Sequence, residues 1–315
     1  MTIVLDSGDL LSGICGANDG NLKVMEDSLG GRIAARGNEI RIDGVDGNGA
    51  RRFRTMMDNL ISIVREGETP SPEYVGTLAG AFSPDGDAPS GDEMRDAAVR
   101  IPNGFRAVYP RGRAQAAYVR GMRDSEIAFC EGPAGTGKTF LAVAEALRLV
   151  LSKKLRRLVL TRPVVEAGES LGFLPGDLAQ KINPYLRPLY DAMEALVPFE
   201  VVRRMEETRA IEIAPLAYMR GRSLRDCVVI LDEAQNATRE QMKMFLTRIG
   251  SGARAVVVGD VTQTDLPRGA ESGLSHAAGV LRGVEGIHFS FLGAADVVRN
   301  PLIRKIIRAY DESGA

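Results

Sequence analysis

Short runs of consecutive apolar residues punctuate the second half of the chain: Ile127-Ala128-Phe129-Cys130, Val228-Val229-Ile230-Leu231 and Ala255-Val256-Val257-Val258. Runs of this length without polar alternation fit strands buried on both faces, the habit of a parallel sheet covered by helices. Residues 157–161 form another strand-like run, and 140–147 suit a helix. From about Val108 onward strands and helices alternate, as in a doubly wound sheet. The first part reads differently. Glu39-Ile40-Arg41-Ile42 alternates with period two, and residues 50–64 carry apolar side chains at helical spacing. Residues 69–104 are rich in Pro, Gly, Ser and Asp, which is linker chemistry. The pattern predicts a small α+β domain at 1–75, a linker at 76–107 with room for one short helix, and a large α/β domain with a mostly parallel sheet at 108–315.

The residues at the strand ends carry the chemistry. After the first run comes Gly132-Pro133-Ala134-Gly135-Thr136-Gly137-Lys138-Thr139, which satisfies G-x-x-x-x-G-K-[ST] between a strand and a helix start. Glycines let the backbone curl so that several N–H groups face one anion, and the helix N-terminus adds partial positive charge. In that arrangement Lys138 bridges the β- and γ-phosphates and the Thr139 hydroxyl holds Mg2+. The second run ends in Asp232-Glu233, two carboxylates at the sheet edge where open α/β folds bind ligands. Asp232 is expected in the Mg2+ shell and Glu233 as the base that takes a proton from the attacking water. The third run leads to Asp260 and Gln263. Gln263 suits a sensor of the γ-phosphate or of the water, and Asp260 suits a loop-holding role.

Composition narrows the picture. The chain has 315 residues, 44% of them apolar, with a net charge of −1, so any polyanion site is a local patch and not a global field. The residues up to 75 carry eight basic against twelve acidic side chains, although Arg51-Arg52-Phe53-Arg54 forms a local basic stripe. Three scattered cysteines (Cys15, Cys130, Cys227) give neither a disulfide framework nor zinc spacing, which fits a reducing cytoplasm. Two histidines leave little for histidine-based catalysis. The start lacks the features of a signal peptide, and no segment approaches membrane-spanning length.

Four further stretches are more specific than the P-loop: TRPVVEAGESLGFLPGDL at 161–178, PLAYMRGR at 215–222, QMKMFLTR at 241–248 and GDVTQTDLP at 259–267. With them the chain, from about Tyr109 to Tyr310, resembles the PhoH family in its stand-alone, YbeZ-like form. The resemblance implies a RecA-like P-loop ATPase related to the first core of superfamily 1 helicases, using ATP and Mg2+. It also implies a role in RNA metabolism, with RNA, a YbeY-type endoribonuclease or the ribosome as partners. Family members often carry a small KH-like domain ahead of the ATPase, and residues 1–75 are similar in size and order. Gly13-Ile14-Cys15-Gly16 fits the G-x-x-G spacing with which such a domain clamps a nucleic-acid backbone. A family segment that usually ends in His here reads Asp296-Val297-Val298-Arg299-Asn300.

Related helicases read the adenine edge through an upstream Gln amide, which donates and accepts together. Gln115 takes that place here, with Tyr118 near the base. Arg162, followed by Glu166 and Glu169, occupies a turn where helicase cores meet single strands. The sequence holds one RecA-like unit, so a transition-state arginine comes from the same chain or from a neighbour. Arg220, Arg222 and Arg299 are the candidates, and a homo-oligomer is expected. Basic clusters at 153–157 and 304–308 suit phosphate contacts or solubility. Two functions stay open: an ATP-hydrolysing RNA remodeller, and a nucleotide-gated switch that docks a nuclease or ribosomal partner. A metabolite kinase is a distant third.

Overall fold

The computed structural model describes residues 1–65, 67–81, 91–105, 107–163, 178–267, 269–293 and 296–297. By internal contact the chain divides into two units, Met1–Ala97 with Tyr109–Ala116, and Ala98–Val108 with Ala117–Ala315.

The first unit opens with β1 (Thr2–Val4), α1 (Gly8–Cys15), α2 (Gly20–Leu29), β2 (Arg32–Arg36), β3 (Glu39–Asp43) and α3 (Gly47–Arg65). Its three strands form an antiparallel sheet in the order β1-β3-β2. The alternation at 39–43 is realised: Ile40 and Ile42 are buried and their neighbours are exposed. Phe53, Met56, Met57, Leu60 and Ile63 of α3 fill the core from one helical face. The segment expected as linker, 76–107 with room for one short helix, holds the end of α4 (Pro72–Ala81) and all of α5 (Gly91–Asp96), and its Leu78 and Met94 enter the same core, as do Tyr74 and Val75 just ahead of it. A few apolar residues at helical spacing outweigh the Pro- and Gly-rich context, because burying each is worth about 1.5–3 kcal/mol. Gly13 to Cys15 form the last turn of α1 and Gly16 caps it at a φ of 69°, with Ile14 and Cys15 buried, and a Cβ on Gly13 would stand 2.7 Å from Val64.

The second unit begins with a two-stranded ribbon, β4 (Val99–Arg100) and β5 (Ala107–Val108). Then follow α6 (Arg113–Asp124, whose first residues belong to the first unit), β6 (Ile127–Glu131), α7 (Lys138–Leu151) and β7 (Arg157–Arg162). The remainder is α8 (Leu178–Glu194), α9 (Phe199–Glu207), β8 (Ile211–Pro215), β9 (Cys227–Leu231), α10 (Arg239–Leu246), β10 (Arg254–Gly259), α11 (Gly273–Leu281) and β11 (Ile287–Phe291). Six of these strands form one sheet in the order β11-β6-β10-β9-β7-β8, with every pairing parallel. All five residues of β9 are buried, as its unbroken apolar run requires. Phe129, Val229, Leu231 and Val257 pack on one side against Met242 and Phe245 of α10 and Leu274 of α11. The alternate residues face the side that α7 covers.

Strand β10 lies between β6 and β9, so the glycine-rich turn, the acid pair and the Asp260 loop leave the sheet side by side at its C-terminal edge.

Candidate nucleotide site

The turn after β6 is shaped by glycine. Gly135 and Gly137 adopt φ of 83° and 82°, where a side chain would be strained. Gly132 passes so close to the chain after β11 that an added Cβ would stand 2.4 Å from the Leu292 carbonyl oxygen. Gly137 caps α7, and Lys138 is its first residue. Lys138 is buried, and its ammonium donates to the carbonyls of Gly132 at 2.5 Å and Pro133 at 2.8 Å. Burial lowers its pKa, and the nearby Cys130, Asp260, Glu233 and Asp232 pull it back up. The Thr136 hydroxyl closes the turn onto the Pro133 carbonyl at 2.9 Å.

The opposite wall is set by β9. The Asp232 amide donates to the Thr161 carbonyl at 2.9 Å, which holds the start of the acid pair against β7. The Thr139 hydroxyl donates to Asp232 Oδ1 at 2.8 Å, joining residues 93 positions apart. Asp232 Oδ2 accepts from Arg162 Nε at 2.8 Å and also from its Nη2. Glu233 turns out of the strand in the left-handed region, with φ of 52° and ψ of 39°. Its side chain is about half exposed, at 47%.

Gln235 carries a role that the sequence reading missed. It is buried, and its Nε2 donates both to Glu233 Oε2 at 2.7 Å and to the Gln263 carbonyl at 3.1 Å. Its Oε1 accepts the Asp260 amide at 3.0 Å. One amide therefore ties the acid pair to the loop after β10. Asn236 adds a second tie, exchanging hydrogen bonds with Asp265. Asp260 holds that loop, accepting from the Thr262 amide at 3.0 Å, the Thr262 hydroxyl at 2.6 Å and Gln263 Nε2 at 2.5 Å. Burial raises its carboxyl pKa, and these bonds outweigh burial and leave it below the usual value. Gly259 makes room for the tie, since a Cβ there would stand 2.7 Å from Gln235 Oε1.

Between the walls lies a cavity of about 360 Å3. Lys138, Thr139, Arg162, Asp232, Glu233, Asp260 and Gln263 line it, together with Gly135, Gly137 and the α8 residues Pro188 and Ala192. The residues fit a magnesium nucleotide. One hydroxyl and one carboxylate at 2.8 Å are too few to cage a cation alone, but they suit Mg2+, which takes few protein ligands and completes its shell with phosphate and water.

Other expected residues lie elsewhere. Gln115 belongs to the first unit, where it is buried and its Oε1 accepts the Arg111 amide at 2.7 Å. Tyr118 is completely buried, its hydroxyl 3.4 Å from the Lys138 carbonyl, so its ring is not available to stack on a base. Arg222 is held bidentately by Glu212 at 2.5 and 2.8 Å, the geometry of an ion pair within the chain. Arg220 is exposed. Glu166, Glu169, Arg299, Asn300 and the 304–308 cluster lie outside the described residues.

A family model described as PhoH-like protein matches residues 107–311. The chain belongs to the PhoH family. Among its relatives, a PhoH-like protein of Mycobacterium tuberculosis (strain ATCC 25618 / H37Rv) is 44% identical over 303 residues, covering 96% of this chain and 85% of the relative. The PhoH-like protein of Bacillus subtilis (strain 168) is 43% identical over 308 residues, covering 98% and 96%. Protein PhoH of Escherichia coli (strain K12) is 43% identical over 205 residues, covering 64% of this chain and 58% of that protein. Family and fold agree: this PhoH-family chain has an α/β, P-loop type nucleotide-binding architecture. Among the described residues, no helix is long and apolar enough to cross a membrane.

Proposed function

We propose that the chain is a Mg2+-dependent ATPase that acts in RNA metabolism. The observation that carries this reading is the junction of Thr139 and Asp232 at 2.8 Å beside Lys138 and Glu233 in one cavity. The backbone amides of 132–139 cradle the phosphates, and Lys138 leaves its two carbonyl partners to neutralise them. Thr139 and Asp232 hold Mg2+, which supplies charge neutralisation on the phosphate oxygens. Glu233 takes the proton of the attacking water as the bond from the γ-phosphorus to its bridging oxygen breaks. Gln235 fixes Glu233 for that task, and Gln263 orients the water.

RNA as the partner is the expectation that the family resemblance brings, and the first unit's order of strand, two helices, two strands and helix is in keeping with the small KH-like domain expected ahead of the ATPase. The exposed Lys153, Lys154 and Arg156 offer phosphate contacts. A homo-oligomer, an endoribonuclease or ribosomal partner, and a cytoplasmic setting belong to the same reading. Its test is phosphate release with and without single-stranded RNA across a salt series. Release that RNA raises, with the increase fading as salt rises, is expected. Absence of release sinks the ATPase. Release indifferent to RNA at every salt removes the RNA motor and favours a nucleotide-gated switch.

A further inference from the structure

The cavity contains one cation to which the reading above gives no task. Arg162 ends β7, its side chain is only 14% exposed, and it faces the same space as Lys138, Glu233 and Gln263. Its guanidinium rests on Asp232 Oδ2, with Glu233 Oε1 3.8 Å away. Asp232 thus already serves two partners, since its other oxygen takes the Thr139 hydroxyl. A divalent cation beside Thr139 would draw on the same carboxylate on which Arg162 rests. Among the described residues it is the only arginine lining the cavity, and Arg222 is committed to Glu212. A guanidinium presents a planar fork of N–H donors that matches phosphate oxygens, and it keeps its protons while doing so.

We propose that Arg162 is a transition-state arginine supplied by the chain itself: parked on Asp232, it turns to the terminal phosphate when that carboxylate engages Mg2+. The proposal rests on the ATP reading above. No proton or bond passes through Arg162. It supplies charge and N–H donors to the oxygens that gain negative charge while Glu233 receives the proton of water and the bridging oxygen leaves.

The test compares dissociation constants for the ATP analogue AMP-PNP and for ADP, with Mg2+ and in EDTA, in the full chain and in Arg162→Gln and Arg162→Lys. With Mg2+, Arg162→Gln is expected to weaken AMP-PNP by about tenfold and ADP by less than about twofold. It should also lose trapping of ADP with aluminium fluoride. In EDTA the unaltered chain and the variant should bind AMP-PNP alike. Arg162→Lys should restore part of the AMP-PNP preference, and it also answers the question if the Gln variant does not fold. An unchanged ratio of AMP-PNP to ADP in the folded variant, or equal weakening of both ligands with and without Mg2+, overturns the role and leaves Arg162 a structural partner of Asp232. If the unaltered chain binds neither nucleotide, the ATP reading falls and this inference with it.

Discussion

The two walls of the cavity are built by opposite means. On the P-loop side, eight consecutive residues supply the site, and the shape is made by backbone at Gly132, Gly135 and Gly137. On the acid side, Asp232 and Glu233 come from one strand end and Asp260 and Gln263 from another, and side-chain amides hold them together. A backbone-built wall binds charge wherever the turn forms. A side-chain-built wall has a geometry that one substitution can loosen, so it is the wall expected to set the rate. The contrast predicts that binding and turnover separate cleanly by wall.

The largest effects should come from the two chemical groups themselves. Lys138→Ala is expected to remove nucleotide binding and turnover together. Glu233→Gln should retain nucleotide affinity within about twofold while turnover falls by roughly 10²- to 10⁴-fold. Equilibrium binding of a fluorescent ATP analogue, measured beside phosphate release, separates the two. If Glu233→Gln loses affinity as severely as Lys138→Ala, the division of labour between the walls is wrong.

A smaller effect should appear where the acid wall is tied rather than where it reacts. Gln235→Leu keeps the volume but removes one acceptor and two donated bonds, leaving the Asp260 amide and Glu233 Oε2 without their partner. A cost of about 2 kcal/mol in transition-state stabilisation, or roughly thirtyfold in turnover, is expected with KM for ATP little changed. Gly259→Ala should act in the same direction by pushing Gln235 aside, and its added methyl also meets Leu274 Cδ2 at 2.6 Å. Equal losses in kcat and in nucleotide affinity for Gln235→Leu would show that the tie supports the whole fold and not the acid wall alone.

The same contrast explains what the sequence made legible. The P-loop wall is contiguous, so its spacing alone announces it, and the apolar runs of β6, β9 and β10 are visible for the same reason. The task of Gln235 depends on β10 lying next to β9, and on β6 lying beyond it, an order unlike the order along the chain. No local pattern encodes that neighbourhood. Asp232 was readable as an acid at a strand end, but its pairing with Arg162 required the β7–β9 register that sets Thr161 opposite Leu231. In the first unit, α3 (Gly47–Arg65) announced itself by the helical spacing of residues 50–64. Helices α4 and α5 did not, because ten and six residues offer too few turns to outweigh their Pro, Gly and Asp neighbours. Tyr118 lies beneath the start of α7, with its hydroxyl at the Lys138 carbonyl, a placement that its distance along the chain from the P-loop does not reveal.

The smallest predicted effect lies away from both walls. Strand β8 is the edge of the large sheet, and there Glu212 pairs with Arg222. The Arg222 hydrogen bond holds the Glu212 carboxyl below its usual value of 4.5 against the opposing effect of burial, with Arg157 assisting. A carboxyl depressed in the folded state stabilises above its unfolded pKa and loses that contribution as pH falls through the folded value. Arg222→Gln should therefore cost no more than about 1 kcal/mol at pH 7, since both side chains are partly solvated. The gap from the unaltered chain should narrow below about pH 4, as urea unfolding at the two pH values would reveal. Turnover should stay within about twofold, because neither Arg222 nor Glu212 lines the cavity. A large loss of turnover with stability unchanged would reverse this assignment. Arg222 would then be the arginine delivered to an adjacent subunit, and the acid wall would no longer be complete within one chain.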